Sequence, residues 1–171
     1  MSFEHASGNP DPRDTTHGAI YVPANAGNTT WFDGAVSTVK LRAASTHGTL
    51  GLMEVSIPPG AGPGAHAHAD ADETFCLLSG EIEMLDGDAQ FRASSGDIIH
   101  VPRGYRHGFK TVGFHPARVL ILFTPGGLEG LFVEGGDHAQ PGVPPPLWGS
   151  ERWNEPFLKE LFRKYGTEAL G

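Results

Sequence analysis

Glycine and proline cut this chain into short apolar runs, and the regularity of the cuts restricts the fold more than any other feature. Pro58-Pro59-Gly60, Ser79-Gly80, Asp86-Gly87-Asp88, Ser95-Gly96-Asp97, Pro102, His115-Pro116 and Pro125-Gly126-Gly127 punctuate the middle of the sequence. Turn signals at about every eight to twelve residues leave room for short strands and none for long helices. The runs between them, Thr49–Ile57, Glu73–Leu78, Glu81–Leu85, Ala89–Ala93, Ile98–Val101, His107–Thr111 and Arg118–Phe123, are expected strands. Trp31–Leu41 reads as one early strand after an Asn-Thr-Thr turn, and Ile20–Val22 as a short one. With 24 glycines, 14 prolines and only 19% charged residues in 171, the fold class is all-β, a sandwich or barrel.

The segments outside this pattern read differently. Residues 1–18 are polar and without period, and are expected to form a flexible arm. The tail, 127–171, has Leu128, Leu131 and Phe132 at helical spacing and a connector over 135–150 stiffened by Pro144-Pro145-Pro146. Phe157, Leu158, Leu161, Phe162 and Tyr165 then predict a helix capped by Gly166 that packs on the outside of the β-domain, 19–126. A net charge of −8 argues against a nucleic-acid partner, which would require a basic face. No run approaches the length of a membrane span and no apolar signal core follows Met1, so the expected location is cytoplasmic. The single Cys76 cannot form an internal disulfide and reads as a small buried hydrophobe.

The chemistry concentrates between Gly60 and Gly80. His66 and His68 are two apart, so on an extended strand both imidazoles face the same side. Glu73 opens the next strand and can return to that side across a turn, ahead of its rivals Asp70 and Asp72 in the turn itself. His107 supplies a third imidazole from a later segment. Three imidazoles and a carboxylate suit one divalent transition metal with open positions, and Fe, Mn, Ni, Co, Cu and Zn all accept that set. Cys76, three residues from Glu73, is expected on the opposite face. Met53, Phe75, His100 and Phe109 are the candidates for substrate contact, and Arg103 and Arg106 read as solvent-facing loop charges.

Gly60, His66, His68, Glu73 and Gly80 fit G-x5-HxH-x4-E-x6-G at every fixed position, and Gly96, Pro102, Gly104 and His107 fit G-x5-P-x-G-x2-H. With these residue frequencies the first match arises by chance in roughly one chain in a thousand. These are the two signatures of the cupin family, and the chain resembles a single-domain cupin, most strongly over 35–125. One place departs: Thr111 stands where the second signature usually closes with Asn. The resemblance implies a double-stranded β-helix (jelly-roll) barrel with His66, His68, Glu73 and His107 as metal ligands. An arm strand is a common dimerisation device in that family, and open sheet edges need cover, so a homodimer is expected. The run Thr124-Pro-Gly-Gly-Leu-Glu-Gly-Leu-Phe132 and the later Tyr165-Gly-Thr-Glu168 resemble the quercetin-dioxygenase-like group. That group implies a metal-dependent dioxygenase acting on an aromatic or enolisable small molecule, with Glu73 also serving as base and dioxygen as second substrate. A non-oxidative metal-dependent isomerase, cyclase or lyase, and a binding cupin without turnover, are the alternatives.

Overall fold

The structure, a computed structural model, describes residues 18–170, so the expected arm lies almost wholly outside the described residues. The strands are β1 (Asn28–Phe32), β2 (Ala35–Leu41), β3 (Gly51–Ile57), β4 (His66–His68), β5 (Asp72–Ser79), β6 (Glu81–Asp86), β7 (Ala89–Ser94), β8 (Ile98–Val101), β9 (His107–Val112) and β10 (Ala117–Thr124). After them come helix α1 (Glu129–Gly135), the two-residue β11 (Asp137–His138), helices α2 (Ser150–Trp153) and α3 (Pro156–Lys164), and β12 (Thr167–Ala169). A seven-stranded sheet in the order β11-β1-β2-β3-β10-β5-β8 faces a five-stranded sheet in the order β12-β4-β9-β6-β7. Neighbouring strands are antiparallel throughout, as short turns between strands require. This is the jelly-roll barrel of an all-β cupin fold.

Alternation builds the interior. Met53, Val55 and Ile57 of β3, Phe75 and Leu77 of β5, and Val119, Ile121 and Phe123 of β10 point inward in register across the large sheet. Ile82 and Met84 of β6 meet them from the small sheet. Phe75 and Phe123 are fully buried, and truncating such a ring to alanine costs about 3–5 kcal/mol. Gly80 turns β5 into β6 at φ 81°, and a Cβ there would lie 2.7 Å from Ala117 Cα. Both facts require glycine.

Three local expectations are corrected. Residues 20–22 form no strand, and Tyr21 is exposed. Trp31–Leu41 is a hairpin rather than one strand: Asp33 (φ 45°) and Gly34 (φ 79°) make a turn with two left-handed residues between β1 and β2. Cys76 faces away from Glu73 as expected but is only half-buried, on the outer side of the large sheet. In the tail, α1 and α3 form where the periodicity placed them, and Gly166 follows α3 at φ 60°. Leu158 and Leu161 are the buried face of α3, whereas Phe157 is exposed. The connector is tied down by Trp148, whose backbone N–H donates to Asp33 (2.7 Å) and whose indole donates to Asp137 (2.7 Å). Nothing in the residue pattern announced β12, which pairs with β4.

Candidate metal centre

The strand that carries the histidine pair is short because its approach is glycine-rich. Residues 60–64 run beside β9, joined by Phe109 N–H to Pro63 O (3.2 Å) and Thr111 N–H to Ala61 O (2.8 Å). A Cβ on Gly62 would fall 2.2 Å from Phe109 O, so only glycine lets the two backbones approach this closely. That approach sets His66 directly opposite His107 in the β4–β9 register. His68 follows on the same face, and Glu73 reaches the group from β5 in the facing sheet.

The four side chains converge. One ligand atom from each of His66, His68, Glu73 and His107 lies within 4.8 Å of the others. Glu73 Oε2 is 2.8 Å from His107 Nε2 and 3.2 Å from His68 Nε2. Atoms bound at about 2.1 Å to one ion stand about 3 Å apart at right angles, and the two Glu73 contacts match that spacing. The outer ring nitrogens are fixed as metal-bound imidazoles require. His66 Nδ1–H donates to Gly64 O (2.9 Å) and His107 Nδ1–H to Tyr105 O (2.9 Å). His68 Nδ1 sits 3.1 Å from Thr167 Oγ1 of β12, which accepts its proton when Nε2 is the ligating atom.

The electrostatics of His66 and Glu73 agree with a ligand set. Burial, together with the charges of His107 and His68, lowers the pKa of His66 to about 4, so its ring is neutral. Burial pushes the Glu73 carboxyl up, but hydrogen bonds from His107 and His68 outweigh it and hold the pKa at about 2. His107 is raised: burial opposes its charge, and the hydrogen bond to Glu73 overcomes that. The two rival carboxylates are elsewhere. Asp72 is engaged by Arg103 at 2.9 and 3.2 Å, and this arginine is exposed as expected while it makes that ion pair. Asp70 is exposed beside Gly166.

A cavity of about 560 Å³ opens onto the centre, with His66, His68 and Glu73 in its wall. The rest of the wall is mainly apolar, including Val55, Ile57 and Ile121 from the barrel and Leu131, Phe132, Trp153 and Phe162 from the tail. Of the four expected substrate contacts only Phe109 lines it. The other three are corrected: Met53 and Phe75 are fully buried core, and the exposed His100 bonds Thr74 Oγ1 (2.8 Å) outside the barrel. Three lining groups escaped the sequence reading. Lys159 stands exposed in the wall, the tail helices close one side, and Ser37 of β2 points inward. Ser37 is fully buried and its hydroxyl has no hydrogen-bond partner among the described residues. Leaving such a group unpaired costs about 1–3 kcal/mol. Thr111 Oγ1, at the place where the signature departs, is also buried and unpartnered, but it lies outside the cavity wall.

A family described as Cupin domain matches residues 53–123, which hold all four converging side chains. The chain carries a cupin domain. Among curated relatives, this cupin is similar to quercetin 2,3-dioxygenase of Bacillus subtilis, with 27% identity over 129 residues, 75% of this chain and 38% of that one. It is also similar to the tetracenomycin polyketide synthase protein TcmJ of Streptomyces glaucescens, with 30% identity over 81 residues, 47% of this chain and 53% of that one. The cupin thus spans less than two thirds of the length of either relative. Its fold is shared with a predicted oxalate decarboxylase from Thermotoga maritima (18% identity, TM-score 0.58, 61% of this chain and 98% of that one). KdgF from Halomonas sp. shares it too (22% identity, TM-score 0.52, 58% and 91%). No helix among the described residues of the cupin is long and apolar enough to cross a membrane.

Proposed function

We propose that this cupin is a metal-dependent dioxygenase acting on an aromatic or enolisable small molecule. The observation that carries the reading is the convergence of four ligand atoms, with His66, His68 and Glu73 in the wall of an apolar cavity of about 560 Å³. A volume in that range takes a drug-sized aromatic molecule. His66, His68, Glu73 and His107 would hold one divalent metal, whose chemistry when bound is to acidify a substrate hydroxyl and to bring substrate and dioxygen together. The protein's own part is threefold. The imidazoles stay oriented through their outer nitrogens, the apolar wall excludes water, and Glu73 is the buried carboxylate placed to take a proton from a substrate hydroxyl. The similarity to quercetin 2,3-dioxygenase supports oxygen chemistry, and the similarity to a polyketide synthase protein supports a small-molecule substrate.

Elemental analysis and an oxygen electrode test the reading together. Purified protein is expected to carry one divalent metal per chain, and His66→Ala or His107→Ala to lose most of it. Full occupancy in both variants would reject the ligand set. With a flavonol such as quercetin, the wild type should consume dioxygen and place label from the gas in the product. Glu73→Gln should lose more activity than metal, and His68→Ala should lose both together. Substrate conversion under anaerobic conditions without oxygen uptake would replace the dioxygenase with a metal-assisted isomerase, cyclase or lyase at the same residues.

A further inference from the structure

The cavity wall contains one polar group that the metal chemistry leaves unused. Ser37 belongs to β2, which stands three places from β5 in the large sheet, so it is remote from Glu73 along that sheet while both line the cavity. Its neighbours in register are Thr30 of β1 and Val55 of β3. Thr30 is already committed, its hydroxyl donating to Phe132 O (2.9 Å), and Val55 offers nothing polar. The Ser37 hydroxyl therefore sits in an apolar wall with neither donor nor acceptor to meet it among the described residues. Buried polar groups in native proteins are satisfied, and an unsatisfied one facing a cavity calls for a partner that arrives with the ligand.

We infer that Ser37 is a substrate-recognition residue, whose hydroxyl hydrogen-bonds an oxygen on the part of the substrate remote from its metal-binding end. This rests on the reading that the cavity holds an aromatic substrate at the His66–His68–Glu73–His107 centre. The preferred ligands are then polyhydroxylated aromatic compounds, not rings whose only polar atoms are those at the metal. Because the serine is unpaired in the free protein, a ligand oxygen gains the bond without displacing an internal one.

Two flavonols separate the ends of the ligand. 3-Hydroxyflavone carries only the hydroxyl and carbonyl suited to the metal, whereas quercetin adds hydroxyls on the remote rings. Binding to the metal-loaded protein is measured anaerobically by calorimetry, with quenching of Trp153, which lines the cavity, as a second readout. Ser37→Ala and Ser37→Cys are the variants; cysteine keeps the size and gives up a strong hydrogen bond. Both should bind quercetin about tenfold more weakly, about 1.4 kcal/mol, and 3-hydroxyflavone within about twofold of wild type. Thr111→Val, which removes the unpartnered hydroxyl outside the cavity, should bind both as wild type does. Quercetin affinity unchanged in Ser37→Ala, equal weakening of both flavonols, or binding of neither by the wild type would overturn the inference. A serine-dependent preference without oxygen uptake would refute the dioxygenase and leave the recognition role standing. Oxygen uptake with no effect of Ser37 would do the reverse.

Discussion

His68 differs from its two companions in what holds it. His66 and His107 are oriented by backbone carbonyls, which no substitution removes, but His68 depends on the hydroxyl of Thr167. Thr167→Val keeps the shape and deletes the acceptor, and the loss of such a partner typically weakens metal binding about 10-fold to 100-fold. Competition with a chelator should therefore show at least about tenfold weaker affinity in Thr167→Val, and unchanged affinity would show that the hydroxyl is dispensable. The candidate ligands His66, His68 and Glu73 were legible because their spacing is local, a two-residue step and then Glu73 five residues on, whereas His107, 34 residues beyond Glu73, was legible only through the second signature. Thr167 was not legible, because it lies 99 residues from His68 and only the β4–β12 pairing brings it there. Ser37 was hidden for another reason, since a serine in a half-buried strand gives no sign that its partner is missing.

Among the elements, α3 has a contact that pH should read. Lys164 donates to Glu134 of α1 (2.7 Å), and Tyr165 O–H donates to the same carboxylate (2.7 Å). These bonds, Lys164 first, lower the Glu134 pKa, with Arg42 adding a smaller attraction. A depressed carboxyl stabilises fully above its ordinary value of 4.5 and loses that contribution as pH falls through the lower, folded value. Amide hydrogen exchange in α3 should therefore quicken as pH is brought below about 4.5, after correction for the intrinsic rate. Glu134→Gln should flatten that dependence, and an identical profile in the variant would remove Glu134 as the cause. The helix was readable from its period, although the exposed Phe157 shows that the stripe overstated its buried face. The β1–β2 hairpin carried a plain Asp33-Gly34 turn signal, which reading Trp31–Leu41 as one strand passed over. β12 is too short and too polar to register as a strand, and it exists because β4 offers it an edge.

For the whole molecule, the fold followed from turn spacing and two signatures, and the remaining question is what covers the sheet edges. β8 ends the large sheet and β7 the small one, and Ile98 (69% exposed) and Phe91 (40% exposed) stand on these strands. Uncovered edges with apolar side chains seek a partner, so a homodimer is expected, with a dimer mass by light scattering at micromolar concentration. A monomer mass there would reject it. The pairing of β4 with β12 also orders events in time. A ribosome adds about 5–20 residues per second, and His68 precedes Thr167 by 99 residues. For some seconds the nascent chain therefore displays His66, His68 and Glu73 without the strand that steadies them. The His68–Thr167 contact can close only once β12 has been made, so an ion held at this centre would be selected by a folded protein and not by a growing one.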